Sequence, residues 1–418
     1  MSPTSLTKRL TRYAKTATML AALSLGAAAA AHADTVKIGL LAPLTGPASA
    51  DGQEYQRGAQ LAIDEINAAG GIDGNTLELA VGDVKDMSAG NVTSAVERLI
   101  GDTDVHFMLT GYASLTNFEI DAMAEAEMPY VLAATSQQTK DIIAPDPSKY
   151  DCCWSWTPSF DAYNTDVTSF VEKLAAEGKV SLPTKKVAII SSDNAYSKTI
   201  SEGMKKTFTE KGWTITVDEL VPFGEVTDWR SILAKVRENT PDLVINTDYL
   251  PGNSASFLNQ FLEQPTKSLV FLQYAPSVPE FVQLTGEKSN GVIYNLLGGP
   301  LVSPKNPRAD EVAKKFKDKY GVESGTYGLA LYEIVHLYAD ALKKVGDASD
   351  HKAIMKAIGE TDKQVVAGRL KFDPATHLAM QVDDYIPITF FQIWDGQRTL
   401  ISPEAYKVGD FKTQPWMQ

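Results

Sequence analysis

The side chains able to do chemistry are few and scattered. Cys152 and Cys153 are the only cysteines. Being adjacent, they form either a vicinal disulfide that strains the intervening peptide or two free or buried thiols. Two neighbouring thiols cannot supply a tetrahedral metal site, and His106, His336, His351 and His377 stand apart without ligand spacing. No GxxxxGK phosphate loop, HExxH zinc helix or GxSxG nucleophile elbow occurs, and nothing sets a serine beside a base. What is dense is aromatic. Tyr112, Trp154, Trp156 and Tyr274 fall near strand ends or a central crossover. There they can stack on a ligand or box a cation, while the two tryptophans read equally as structural wedges beside the cysteines. Binding of a small molecule is expected, without enzymatic turnover, metal or cofactor.

The elements that must hold these residues follow from periodicity. An apolar run at 36–41 precedes a loop with Pro43, Gly46, Pro47 and Gly52. Tyr55, Ala59, Ala62, Ile66 and Ala69 then recur at the spacing of one buried helix face, giving strand, loop, helix. In an open parallel sheet such a loop borders the ligand crevice, which makes 46–52, with Asp51, the first candidate binding loop. Strands expected at 76–81, 105–109 and 130–133 alternate with helices at 89–100 and 115–125, the βαβ rhythm of a doubly wound sheet. From 146 to 164 (DPSKYDCCWSWTPSFDAYN) the periodicity stops, as at a crossover or hinge. A second rhythm follows, with strands at 187–191, 214–220, 243–246 and 269–272 and helices at 197–211, 229–238 and 255–262. Further helices are expected at 309–319, 327–344 and 352–358.

The first 33 residues carry Lys8, Arg9, Arg12 and Lys15 without an acid, then an alanine-rich apolar run and Ala31-His32-Ala33. That layout is a cleavable signal peptide, too short for a stable membrane span. The mature protein is therefore expected in the periplasm. Removing those four cations takes the formal charge from −13 to −17, which argues against nucleic acid or an anionic membrane as partner. A hydrophobic share of 44% is enough for two real cores.

The phrases IGLLAPLTGP, GQEYQRGAQLAIDEIN and AGGIDG closely resemble the opening of the type I periplasmic binding proteins, in particular the leucine/isoleucine/valine-binding family that serves ABC transporters. The resemblance implies an α/β fold of two doubly wound Rossmann-like lobes joined by a three-stranded hinge. The first lobe would hold 34–157 plus 296–372 and the second 158–295 plus 373–418, with the late helices returning to the first lobe and strands near 370–372 and 386–394 to the second. It also implies capture of a small organic nutrient by hinge closure and delivery to permease subunits. The alternative is a sensor that hands its closed form to a receptor or kinase.

Carried over residue by residue, the resemblance puts Ser114 (TGYASLTNF) at the carboxylate-binding serine, although a serine there reads equally as a helix cap. It puts Ala133 and Thr135 (LAATSQQ) at backbone and hydroxyl contacts, and Tyr196 (SSDNAYSK), Tyr249 (NTDYLPGN) and Tyr327 (SGTYGLALYE) at aromatic positions. The acid that neutralises the ligand ammonium should lie in FLQYAPS, where Tyr274 and Ala275 stand instead. A buried ammonium left unpaired is costly. So Asp51 or Asp248 supplies the charge, or the ligand has no ammonium, as in an aromatic or aliphatic acid, an amide or a diol.

Overall fold

The structure, a computed structural model, describes residues 34–134, 136–381 and 384–418. The expected signal peptide (1–33) and Thr135 lie outside the described residues. Strands β1 (Thr35–Ala42), β2 (Thr76–Asp83), β3 (Phe107–Thr110), β4 (Tyr130–Leu132) and β5 (Cys153–Ser155) form a parallel sheet in the order β2-β1-β3-β4-β5. Helices cover both faces of such a sheet, so its strands are apolar on both sides; Ile38, Leu40 and Leu41 of β1 are all fully buried.

The second half repeats the pattern with β6 (Lys186–Ser192), β7 (Thr214–Val221), β8 (Leu243–Asn246), β9 (Leu269–Leu272) and β10 (Ile293–Leu297). A hairpin of β11 (Asp362–Val365) and β12 (Gly368–Lys371) stands apart. The chain then adds β13 (Ile388–Trp394) and β14 (Gln397–Ser402), antiparallel, to give the order β14-β13-β10-β9-β8-β6-β7. It passes between the sheets three times: after β5, after β10, and between β12 and β13. Fully buried Trp156, on the first crossing, donates its indole N–H to the Gly298 carbonyl on the second at 2.8 Å. No described helix is long and apolar enough to cross a membrane.

Helix Tyr327–Val345 returns to the first sheet and packs along helix Ser49–Ala68. The approach is close because glycines meet: a Cβ on Gly58 would run into the Gly328 carbonyl oxygen. Gly58→Ala must push two backbones apart, and we expect a loss of about 1–3 kcal/mol in urea unfolding. An unchanged midpoint would show that the helices part freely.

Two expectations need correction. The aperiodic stretch 146–164 is more than a crossover: it contains β5, the sheet edge paired in parallel with β4, and the start of helix Asp161–Ala176. A three-residue strand has no detectable period. The helix was overlooked although Val167, Phe170, Val171 and Leu174 bury one of its faces. The run at 370–372 does not enter the second sheet, since β12 pairs with β11. The chain beyond it still holds to the first sheet, where Ser155 bridges Leu378 and donates its amide to the His377 carbonyl. Cys152 and Cys153, both buried, are joined as a disulfide.

Candidate ligand-binding site

Seven residues line a cavity of about 40 Å³ between the sheets: Tyr112, Leu115, Ala134, Tyr196, Tyr249, Tyr274 and Tyr327. Tyr112 follows β3, while Tyr249 and Tyr274 follow β8 and β9. Tyr196 lies in the first turn of helix Ala195–Glu210, just after β6. These are carboxyl ends of parallel strands, where open α/β sheets bind ligands. Tyr327 opens the helix that covers the first sheet. A larger cleft of about 410 Å³, bordered by Tyr294, Phe391, Lys317 and Arg398, lies against helix Pro307–Tyr320 and β13–β14, away from those strand ends.

The rings meet at steep angles. Tyr112 and Tyr249 have centroids 6.0 Å apart at 77°, Tyr112 and Tyr327 5.8 Å at 71°, and Tyr196 and Tyr249 5.8 Å at 84°. Behind them sits Asp51, only 3% exposed. It accepts the Tyr112 hydroxyl on one oxygen at 2.6 Å and the Tyr274 hydroxyl on the other at 2.7 Å. The first bond stays within one sheet's territory and the second joins the two. Burial pushes the Asp51 carboxyl up to about 7, against the pull of those hydroxyls.

Tyr274 reaches Asp51 from an unusual backbone, φ +62° and ψ −55°. The Ala275 amide bonds the Gln273 carbonyl at 2.7 Å, so Tyr274 is the centre of a γ-turn of the rare positive-φ form. Such strain persists only where surroundings enforce it, commonly at ligand clamps. The Gln273 side-chain amide also donates to the Tyr196 hydroxyl at 3.1 Å.

The structure thus gathers Asp51, Tyr112, Tyr196, Tyr249, Tyr274 and Tyr327. It does not bring Ser114, Ala133 or Trp154 to the cavity. The Ser114 hydroxyl donates to buried Glu119 at 2.6 Å and accepts the Asn117 amide at 2.8 Å. Burial raises the Glu119 pKa, and the Ser114 bond works against that rise. Ser114→Ala is expected to cost about 1–3 kcal/mol by leaving one buried Glu119 oxygen without its donor, the Tyr130 hydroxyl still reaching the other at 3.3 Å, while leaving ligand affinity within twofold by calorimetry. A loss of affinity without a loss of stability would return Ser114 to the site.

Ala133 donates its amide to the Thr110 carbonyl at 3.0 Å and its carbonyl accepts the Thr157 hydroxyl, so the neighbouring Ala134 meets the cavity in its place. Trp154 stacks on His377 with centroids 4.1 Å apart and packs against Phe372, as a wedge at the sheet edge. Asp248 is also committed elsewhere: it accepts the Leu250 amide at 3.0 Å and the Asn253 side chain at 2.7 Å, at the start of helix Pro251–Phe261. Burial lifts its carboxyl to about 6.

Tyr55 and Glu54, neither of them a sequence-based site candidate, support the lining from behind. Tyr55 sets its ring edge-on to Tyr112 and Tyr327, at 5.7 and 5.0 Å. Glu54 accepts the backbone amides of Gly325, Tyr327 and Gly328. Their signal was the polar GQEYQRG phrase inside an otherwise apolar helix face.

The periplasmic binding protein family profile matches residues 35–395. The chain is 30% identical over 405 residues to Leu/Ile/Val-binding protein homolog 8 of Brucella suis, covering 92% of this chain and 96% of that one. It is 28% identical over 348 residues to the Leu/Ile/Val-binding protein BraC3 of Rhizobium johnstonii, covering 82% and 88%. A Silicibacter pomeroyi protein, provisionally assigned to branched-chain amino acid ABC transport, has a crystal structure that superposes with a TM-score of 0.81 at 32% identity, covering 92% of this chain and all of its own. One parallel and one largely parallel sheet, three crossings and a cavity at the strand ends match that kinship, and the chain belongs to the periplasmic binding protein family.

Proposed function

We propose that this protein is the solute-binding component of an ABC transporter, which captures a small organic nutrient between two closing lobes in the periplasm and delivers it to a membrane permease. The supporting observation is the Asp51–Tyr274 hydrogen bond between the two sheets, set among tyrosines contributed by both. The lobes would be 34–157 plus 296–372 and 158–295 plus 373–418, turning about the three crossings. In the working cycle the ligand docks on one lobe, the other rotates onto it, and the closed form is what the permease recognises. Closure excludes water, so a few polar contacts suffice for affinity.

The test is thermal unfolding of the purified protein against amino acids, short-chain and aromatic acids, amides, alcohols and amines. A true ligand at 100 times its dissociation constant adds about 2.7 kcal/mol and raises the midpoint. A complete panel without any rise would overturn solute capture.

A further inference from the structure

We infer that the tyrosine cavity recognises a small organic cation that carries no carboxylate, such as a quaternary or protonated amine; this rests on the solute-binding reading above. The lining has five tyrosines and no lysine, arginine or histidine. The charged groups that bear on it are acidic: Asp51 behind Tyr112 and Tyr274, Asp248 beside Tyr249, and Glu54 and Glu280 acting on Asp51. Arg398 acts on Glu54, but its guanidinium is turned to the Ser277 and Ser324 carbonyls and to Glu323. An anion entering here would lose its hydration without gaining a cationic partner.

The hydroxyls point the same way. Tyr112 and Tyr274 give their protons to Asp51, and Ser114 gives its proton to Glu119. These three are therefore not free to donate to a ligand carboxylate. Apart from the Tyr249 hydroxyl, unpartnered among the described residues, what the tyrosines offer is their π systems, and the pairs Tyr112–Tyr249, Tyr112–Tyr327 and Tyr196–Tyr249, which meet at steep angles, enclose space in place of stacking. Tyrosine faces attract ammonium groups, most strongly where water is excluded. Ionised above about pH 7, Asp51 supplies a buried counter-charge one hydroxyl away. At about 40 Å³, roughly three water-sized positions, the cavity suits a compact guest. The net negative charge of the whole chain draws cations towards it.

The experiment is titration calorimetry of the purified protein at about pH 8, where Asp51 is ionised, with tetramethylammonium chloride, neutral neopentyl alcohol and anionic pivalate, which are of similar bulk, and with the larger isoleucine. Tetramethylammonium is expected to bind at least tenfold more tightly than neopentyl alcohol, with pivalate silent. Asp51→Asn is expected to lose at least tenfold for tetramethylammonium and little for the alcohol. Should that variant fail to fold, Tyr249 carries the test. Its hydroxyl has no partner among the described residues, so Tyr249→Phe should keep the affinity and Tyr249→Leu should lose it. Equal affinity for the cation and the alcohol overturns recognition of charge. Binding of pivalate or isoleucine with tetramethylammonium silent overturns the cation class and leaves solute capture standing. Silence from all four also overturns the cation class, and the wider thermal panel then decides solute capture separately.

Discussion

Glu54→Ala should lower the stability of this protein by about 3–5 kcal/mol, the largest single-residue loss we expect outside the apolar core. Helix Tyr327–Val345 begins without a side-chain cap of its own, since Thr326 accepts no cap bond. The first amide donors of a helix have no intrahelical partners. Here Glu54, from a helix more than 270 positions earlier in the chain, accepts three of the amides around that start: Gly325, Tyr327 and Gly328, the latter two at 3.3 Å. A carboxylate at that end also opposes the helix dipole favourably. Alanine would leave three buried donors unpaired and loosen Tyr327 at the edge of the cavity. Glu54→Gln keeps one acceptor oxygen but turns an NH2 donor towards the amides on the other side, so it should recover only part of the loss. Urea unfolding of the three proteins is the check; a Glu54→Ala cost below about 1 kcal/mol would sink the idea that this carboxylate caps the helix.

The second large effect is a dependence on pH written into Asp51. Its carboxyl is held near 7 in the fold against an ordinary value of 3.8, chiefly because burial strips its water. Facing it are the hydroxyls of Tyr112 and Tyr274, the rings of Tyr55 and Tyr327, Glu54 on its own helix and Glu280 from helix Pro279–Thr285. Between those two values the fold keeps a proton that the unfolded chain has released. Stability is thus fully present below about pH 4 and is lost as pH rises towards 7, by up to about 4 kcal/mol. Glu54, Glu119 and Asp248 are shifted in the same direction. The informative quantity is therefore the difference between the wild-type protein and Asp51→Asn. Measured in urea at pH 4.5, 6 and 7.5, that difference should change steadily in favour of the variant as pH rises. Parallel curves would mean that Asp51 stays hydrated. A cation in the cavity should flatten the wild-type slope, because it stabilises the ionised carboxylate.

Local periodicity made most of the fold legible. Helix Asp161–Ala176 apart, the long amphipathic helices and the apolar strand runs of both halves stand where the sequence puts them, and β8 and β9 match to the residue. The βαβ alternation named the sheet type. What stayed hidden was non-local. A three-residue strand such as β5 has no pattern, and the partner of β12 depends on a hairpin that composition does not announce. The site divides in the same way. That tyrosines stand at strand ends is legible in the sequence, because the strand pattern fixes their position, while their contact with a ligand belongs to the proposed function. The Ser114 motif fits a binding serine, and only the fold shows its hydroxyl bonded to Glu119 five residues on. The cap from Glu54 to Gly325 and the bond from Asp51 to Tyr274 cross so much chain that only the folded molecule shows them.

The order in which the chain supplies its parts has a consequence for how it can fold. All five strands of the first sheet are made by Ser155, yet the helix Tyr327–Val345 that packs against its first helix arrives more than 170 residues later. The second sheet waits longer still. Until Ile388–Trp394 is in place, β10 is an open edge of five buried residues, and open apolar edges invite pairing with other chains. The final residues then fasten that sheet: Gln414 bonds the amide and carbonyl of Val270 and the carbonyl of Gly291, and Trp416 bonds the Ser268 carbonyl. Neither half can finish its core from its own contiguous stretch of sequence. A chain truncated before Ile388 is therefore expected to be left as an aggregation-prone fragment.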